Sequence, residues 1–488
     1  MGILSLLLWL PAFGALVLAL IPGQNLLLIR SIANIFCFFA LLFSVWLLWR
    51  FDSQDSGLQF AEYLPLNPKF GSAYALGVDG LSMPMVVLAA LLMSIAMLVS
   101  FNISERSKSY HICLLILEFG LFGVFLAQDW AVFYIFWEVT LIPLFFLIDR
   151  WGGKRRHAAS LNFVLYTMVG SIFMLISLIA VYEYVPDHVS LMSSMIHVSN
   201  NMPHDEQIWA LLGFLIGFGV KLPIFPMHGW LPLAHVEAPS PVSILLSGIL
   251  LKMGAYGLIR VVLMLPEAAQ TLQPTLVFLA FFGMIYGGLL AWRQTDLKAM
   301  VAYSSISHMG IVLLGIASLN TTGITGAVLQ MTAHGLIAGA LFLLVGLLYE
   351  RTHTRNIHDY SCLIQTMPRF AFLAIITLLA AMGLPGSVGF IAELHAFIGG
   401  YQQWGGLMLF FSLGILITSA YALRTIALLF TGPAKPQMLQ VTDLKAVEVF
   451  AAGILVASIL WFGLVPDSLI GLSSATIGRM HSQISHLL

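Results

Sequence analysis

The stretch GVKLPIFPMHGWLPLAHVEAPSPVSILLSGILLK, residues 219–252, decides how this chain folds. It ends one long apolar run with Lys221, follows that lysine with Pro223 and Pro226, and places Lys252 deep inside the next apolar run. A lysine at bilayer depth costs roughly 2.5–3.5 kcal/mol, and proline breaks a helix because it lacks the backbone N–H. The sequence therefore predicts a helix broken beside a buried charge, which is typical of a transport site.

The composition is that of a polytopic membrane protein. Of 488 residues, 60% are hydrophobic and 9% are charged, which is more apolar surface than a soluble core could hide. The net charge of −1, without a polybasic segment, argues against a nucleic-acid partner. Cys37, Cys113 and Cys362 lie far apart, so we predict no iron–sulfur cluster, structural zinc or disulfide framework. We expect neither a metal nor a cofactor.

Apolar runs long enough to span a bilayer recur about fourteen times. The longest polar interruptions, 50–79 and 185–206, are too short to form a separate domain. We therefore expect an all-α integral membrane fold with about fourteen helices and a single membrane domain over 1–488.

The basic residues predict the orientation of these helices, because loops that stay on the cytoplasmic side are rich in Lys and Arg. Of the 21 basic residues, 14 lie in loops after odd-numbered runs, whereas loops after even-numbered runs hold only Arg50 and Lys69. Both termini and residues 185–206 are thus predicted to face the opposite compartment. Two more arginines within runs, Arg260 and Arg424, are expected near helix ends on the basic side.

A second break is predicted in MGLPGSVGFIAELHAF, residues 382–397, where Pro385 and three glycines precede Glu393. The seventh and twelfth runs are thus both broken beside a charge, and they lie five helices apart. An odd offset gives two five-helix units of opposite orientation, which is an inverted repeat. We expect these repeats at 110–264 and 272–430, flanked by 1–101 and 448–488.

Titratable side chains inside the runs predict a path for protons. A buried amine and carboxylate exchange a proton with a modest driving force, and histidine relays protons through either ring nitrogen. The predicted path comprises Glu138, Lys221, Lys252, His308, His334 and Glu393.

Structural roles are the alternatives for these residues. Glu138 and Lys221 would then form a static ion pair between two helices, and Lys252 would reach towards an interface. The two histidines would be hydrogen-bonded packing residues. Glu118 has no obvious partner and is interpreted as structural or modulatory.

Four segments closely resemble the antiporter-like subunits of respiratory complex I and its photosynthetic relatives. They are FWEVTLIPLFFLI around Glu138, GVKLPIFPMHGWLPLAHVEAPSPVSILLSGILLKMGAYGLIR from 219 to 260, AYSSISHMGIVLLGIAS from 302 and LPGSVGFIAEL from 384. The glutamate at position 393 resembles the pattern of the M-type subunit, NuoM or NdhD. The segment GVDGLSMPM at 77–85 favours the NdhD branch.

The resemblance implies a proton-translocating membrane subunit of an NADH- or ferredoxin-dependent quinone or plastoquinone oxidoreductase (NDH-1), with the redox chemistry in other subunits. It implies fourteen helices, breaks in the seventh and twelfth, and a proton path through the six residues named above. Its partners would be the lipid bilayer and the other membrane-arm subunits, including neighbouring antiporter-like ones. Its location would be an energy-coupling membrane, with a cyanobacterial thylakoid favoured over a bacterial inner membrane.

The sequence departs from the usual NdhD sequence pattern in two places. Val139 and Thr140 stand where relatives have a second acidic residue, and HVEAPSPVS replaces HGEATAPVH. These departures favour a specialised paralogue, such as one of a carbon dioxide uptake assembly. A subunit of a multisubunit Mrp-type cation/proton antiporter shares the fold and the lysines and is the main alternative. A non-conducting scaffold subunit is a third, which the intact charged residues disfavour.

Overall fold

Long apolar helices make up most of the chain, which the computed structural model describes over residues 2–196 and 198–487. Among these residues, twelve helical segments are long and apolar enough to cross a membrane, one of them the joined pair Val388–Phe430. The predicted helical membrane fold is therefore confirmed. The count of fourteen helices stays a prediction.

The chain divides into two compact units that alternate along the sequence. The first comprises Met1–Pro223, Ile249–Thr275 and Gly471–Leu488, and the second comprises Ile224–Gly248 and Leu276–Ile470. Two of the boundaries between these units, after Pro223 and after Gly248, fall inside the stretch 219–252. The predicted repeat boundaries are a different division and stay a prediction.

The first unit is built from helices that pack mainly on their sequence neighbours. They are α1 (Ile3–Leu20), α2 (Leu26–Arg50), α3 (Ser82–Leu98), α4 (Ser107–Leu126), α5 (Trp130–Val139), α6 (Leu141–Trp151), α7 (Arg156–Tyr182), α8 (Met192–Met195), α9 (His204–Lys221), α12 (Leu251–Met264) and α13 (Pro266–Thr271). Helix α9 packs against α7 and α12, and α4 packs against α1, α3 and α5. The contact between α9 and α12 brings together the helices that carry Lys221 and Lys252.

A short β-hairpin in the first unit was not predicted. Strands β1 (Gln59–Asn67) and β2 (Ser72–Val78) pair antiparallel within the polar interruption 50–79. The Glu62 side chain of β1 accepts hydrogen bonds from the backbone N–H groups of Leu4 and Ser5, at 2.6 and 3.2 Å. It thereby caps the first turn of α1, whose N–H groups have no partner within the helix.

The second unit contains the two helices of the 219–252 stretch and those of the later runs. They are α10 (Trp230–Glu237), α11 (Ser240–Leu245), α15 (Leu297–Ala317), α16 (Thr321–Thr352), α17 (Leu363–Thr366), α18 (Pro368–Ala381), α19 (Val388–Trp404), α20 (Met408–Phe430) and α21 (Ala446–Leu464). Helix α14 (Gln273–Arg293) starts in the first unit and continues in the second, and α22 (Asp467–Leu487) starts in the second and continues in the first. The long α16 packs against α15 and α19.

Both predicted helix breaks are present. Helix α9 ends at Lys221 and the chain turns until α10 begins at Trp230, while α18 ends at Ala381 and α19 begins at Val388. A third irregularity was not predicted, since a π-helical turn over Leu246–Leu250 immediately precedes α12. Such single turns widen the helix locally and recur at functional sites.

Candidate functional site

Lys221 is the last residue of α9, and neutral groups surround its buried ammonium. The side chain is 1% exposed. Its Nζ donates to the carbonyl oxygen of Trp137 at 3.3 Å and to Oγ1 of Thr140 at 3.2 Å, and it lies 3.7 Å from the centroid of the Trp137 ring. A cation at a helix C-terminus also interacts favourably with the helix dipole. Lys221 is therefore stabilised by a carbonyl, a hydroxyl and an aromatic face.

The local sequence explains why these groups are available. Helix α5 ends at Val139 and α6 begins at Leu141, with Pro143 in the first turn of α6. Because proline lacks an N–H, the helical hydrogen-bond pattern is interrupted here. The Thr140 hydroxyl donates to the Trp137 carbonyl at 2.7 Å, so its lone pairs face the Lys221 ammonium.

Glu138 lies between these two contact residues and is half-buried. Its carboxylate acts electrostatically on Lys221, but no direct ion pair joins the two among the described contacts, and Glu138 Oε1 has no hydrogen-bond partner there. Glu138 instead lines an apolar groove of about 620 Å³ whose walls include Tyr134, Phe146 and Met168. The two predicted partners are thus neighbours without being a closed salt bridge.

Lys252 is the second residue of α12, directly after the π-helical turn, and it is fully buried. Helix α12 approaches the end of α9 closely at Gly254. A Cβ atom there would lie 2.6 Å from the carbonyl oxygen of Phe218 and 2.8 Å from the backbone nitrogen of Leu222. Only glycine allows this approach, which brings the helix of Lys252 against the last turn of the helix of Lys221.

Three of the predicted residues come together in the second unit. His308 Nδ1 of α15 lies 3.6 Å from Glu393 Oε1 of α19, and the rings of His308 and His334 are 5.6 Å apart. All three side chains are buried. Gln330 Nε2 lies 3.4 Å from the same His308 nitrogen. A carboxylate, an amide and two imidazoles therefore form one buried polar cluster.

The second helix break contacts this cluster directly. Gly383 lies between α18 and α19 with a φ of +77°, and a Cβ on it would lie 2.7 Å from Glu393 Oε2. A positive φ is a conformation that glycine adopts at little cost. The carboxylate of Glu393 thus packs against the backbone of the break.

The six predicted residues fall into two sets of three, one in each unit. Sequence reasoning missed Trp137, Thr140 and Gln330. The first two contact Lys221 from a helix pair more than 80 positions away, whereas Gln330 contacts His308 of the preceding helix. In the sequence, Thr140 stands out only as a departure from the family pattern. Glu118 does have a partner, because the Cys37 thiol donates to its Oε2 at 3.2 Å. Within residues 2–196 and 198–487, no group of three or more His, Cys, Asp or Glu side chains is placed to hold a metal ion.

The predicted basic-side position of Arg260 conflicts with the predicted helix order, whereas that of Arg424 agrees with it. Arg260 forms an ion pair with Asp79 and shares a cavity with Ser193 and Arg479. These neighbours belong to segments that the charge asymmetry assigns to the side opposite the basic loops. Arg260 lies near the end of the eighth run, an even-numbered one, so its position agrees with the helix order. Arg424 instead donates to the carbonyl oxygen of Trp292, beside the basic loop after the ninth run.

Broken helices with buried charges beside the breaks, inside a bundle of membrane-spanning helices, define a multi-pass membrane protein of the transporter type. The chain belongs to the NADH:quinone oxidoreductase/Mrp antiporter transmembrane family, whose model matches residues 127–418. The family resemblance seen in the sequence motifs is thereby confirmed.

Individual relatives agree with this assignment. A Picosynechococcus protein named NAD(P)H-quinone oxidoreductase chain 4 1 is 41% identical over 93% of this chain and 87% of its own length. NADH-quinone oxidoreductase subunit M of Rickettsia conorii is 36% identical over 98% of both chains. The M-type resemblance is therefore confirmed as well.

Solved structures agree at the level of the fold. A chain of respiratory complex I from Thermus thermophilus matches with a TM-score of 0.90 and 31% identity, over 99% of this chain and 100% of that one. A chain of the Mrp complex from Dietzia matches with a TM-score of 0.89 and 19% identity, over 99% of this chain and 98% of that one, and shows a shared fold alone.

Proposed function

We propose that this chain carries protons across an energy-coupling membrane as one membrane subunit of a quinone oxidoreductase complex of the complex I type. The names of its relatives support the type of complex. Electron transfer belongs to other subunits in this proposal, and the contribution of this chain is the movement of protons. Its partners would be neighbouring membrane-arm subunits.

The surroundings of Lys221 carry the proposal. A static buried ion pair leaves an uncompensated charge whenever one partner changes protonation state, which is costly. Lys221 is held by the Trp137 carbonyl and the Thr140 hydroxyl, which are neutral in either state of the lysine. Glu138 is close enough to act on the ammonium and is not locked to it. Lys221 can therefore lose and regain a proton as the charge nearby changes.

Replacement of Lys221 and Glu138 tests the proposal in membranes that contain the assembled complex. Lys221→Met and Glu138→Gln should each reduce proton translocation strongly while quinone reductase subunits still assemble. The loss in the double variant should be smaller than the sum of the two single losses, because the residues act as a unit. Lys69→Met, an exposed lysine of the hairpin, is the matched control. Normal translocation in both single variants would overturn the proposal.

The same proposal assigns a compartment. The cyanobacterial relative favours a thylakoid membrane, and the charge asymmetry favours both termini on the lumenal or periplasmic side. The family description also covers Mrp antiporters, so sodium dependence should be measured in the same assay. Proton movement that requires sodium and persists without quinone turnover would favour the antiporter.

A further inference from the structure

A small polar cavity lies within the first unit at the C-terminal end of α12. It has a volume of about 80 Å³, enough for a few water molecules. The polar residues in its lining are Ser56, Asp79, Gln128, Ser193, Arg260, Thr476 and Arg479. They come from the segment between α2 and the hairpin, the segment after the hairpin, the segment between α4 and α5, the 185–206 loop, α12 and α22. Several of these segments are the ones that the charge asymmetry assigns to the translocated side.

A buried ion pair forms part of the wall of this cavity. Arg260 Nη2 lies 2.6 Å from Asp79 Oδ2, and the two side chains are 12% and 6% exposed. The other carboxylate oxygen of Asp79 accepts the backbone N–H groups of Leu81 and Ser82, each at 3.1 Å. Arg260 Nε is buried without a hydrogen-bond partner among the described residues. Asp79 is thus fixed by the backbone, whereas Arg260 has unused donor capacity.

One face of α12 leads from the ion pair towards the membrane interior. Lys252, Tyr256 and Arg260 follow one another at intervals of four residues, so they lie along one side of the helix and span about 12 Å. Arg260 Nη2 also donates to the Tyr256 hydroxyl at 3.1 Å. The Tyr256 ring is fully buried between those of Phe125 and Phe133, with centroids 5.4 and 6.4 Å away. The Tyr256 hydroxyl therefore adds a polar group to a buried cluster of three aromatic rings.

We propose that Tyr256, Arg260 and Asp79 form the outer gate of a proton outlet that serves the first unit and opens into this cavity. The inference rests on the proposed function, because an outlet is needed only if the unit moves protons. A proton arriving from the side of Lys252 binds the Asp79 carboxylate as Arg260 Nη2 leaves that carboxylate and keeps its hydrogen bond to the Tyr256 hydroxyl, so that the ion pair opens. Asp79 then releases that proton to cavity water and pairs again with Arg260, which stays charged throughout.

A purely structural ion pair predicts different behaviour from a gate. If the pair only ties the start of α3 to α12, breaking it lowers assembly and leaves the proton permeability of the surviving complex unchanged. If the pair is a gate, breaking it lets protons leak through the complex. Removal of the phenol hydroxyl alone slows outward transfer, because Arg260 then has no second acceptor to hold it when it leaves Asp79.

The experiment uses the purified complete complex in proteoliposomes and measures three quantities. These are the quinone reductase rate, the initial rate of proton translocation and the passive decay of an imposed pH gradient. Tyr256→Phe should lower translocation several-fold without faster decay. Asp79→Asn should speed the decay several-fold, and Asp79→Glu should restore part of the coupling. Glu448→Gln is the matched control, because it breaks a similarly buried ion pair with Arg351 in the second unit.

The outcomes separate this inference from the proposed function. Unchanged translocation in Tyr256→Phe together with unchanged decay in Asp79→Asn overturns the outlet, provided that Lys221→Met abolishes translocation in the same preparation. Absence of translocation in the parent complex overturns the proposed function itself. If Asp79→Asn fails to assemble, Tyr256→Phe decides the matter alone, because it conserves the ring and the packing.

Discussion

The hydroxyl of Thr140 stands beside the charged end of Lys221, 3.2 Å from its Nζ. A carboxylate at this point would fix the lysine in its charged form, because an adjacent opposite charge favours ionisation. A hydroxyl accepts a hydrogen bond from the ammonium without that bias. This residue therefore sets how easily Lys221 gives up its proton.

Replacement of Thr140 should accordingly impair function more than stability. Thr140→Val keeps the shape and leaves the ammonium one acceptor short, which costs about 1–3 kcal/mol. We expect a several-fold loss of proton translocation with the complex still assembled. The control is Thr167→Val, since that buried hydroxyl donates to carbonyl oxygens of its own helix, Phe163 at 2.7 Å and Val164 at 3.1 Å. Equal losses of proton translocation in the two variants would contradict a specific role of the Thr140 hydroxyl at Lys221.

Glu393 tests the second unit at the same scale. Glu393→Gln should abolish most translocation, because the group beside His308 can no longer change its charge. Glu393→Asp should retain part of it, and Glu393→Lys should not restore it fully in surroundings arranged for an anion. Glu118→Gln is the buried control, where an amide oxygen still accepts from the Cys37 thiol. Translocation normalised to assembled complex is the measurement, and near-normal rates in Glu393→Gln would remove this residue from the path.

Helix α12 reaches the end of α9 because Gly254 has no side chain there. Backbone atoms of Phe218 and Leu222 occupy the space that a Cβ would need. Backbone atoms cannot move aside as a flexible side chain can. The position of the Lys252 helix against the last turn of α9 thus depends on one missing methyl group.

Gly254→Ala should therefore push the two helices apart and destabilise the protein. Overpacking of this kind costs about 1–3 kcal/mol, and we expect a lower melting temperature of the detergent-solubilised complex and a loss of translocation. Gly453→Ala in α21 is the matched control, because nothing lies within 4 Å of the added carbon. A helical alanine there should be neutral or slightly stabilising. A melting temperature unchanged by Gly254→Ala would contradict the close approach.

The elements that could be predicted from sequence are those with a strong local cause. Pro223, Pro226 and Pro385 predict the two breaks because proline removes a backbone donor wherever it occurs. The π-helical turn before Lys252, over LSGIL, contains no proline and has no comparable local signal. The contacts of Lys221 with Trp137 and Thr140 join residues more than 80 positions apart. Periodicity and composition carry no information on such pairs.

The distribution of basic residues predicts the orientation of the whole molecule. Loops after odd-numbered runs carry 14 of the 21 basic residues. The positive-inside rule therefore predicts that the loop with Lys154 faces the cytoplasm or stroma and that residues 185–206 face the opposite compartment. The cavity beside Arg260 would open to that second compartment.

Single cysteines test this orientation. Lys154→Cys and Asp187→Cys both lie at exposed positions, whereas the native Cys37 and Cys362 are buried. An impermeant thiol reagent added to sealed, oriented vesicles should label one of the two variants and spare the other. Labelling of both from the same side would refute the helix order.

The cavity at the end of α12 also imposes an order on biogenesis. Its wall combines residues from Ser56 to Met480, so nearly the whole chain must leave the ribosome before the wall is complete. The Asp79–Arg260 pair can form once α12 has been inserted, but Thr476 bonds to the Gly80 N–H only after α22 is made. A nascent chain stalled before α22 would already contain Lys221 and Glu393 while lacking one side of this wall. Insertion of α22 would then complete the wall and remove an intermediate that is more permeable to protons than the complete chain.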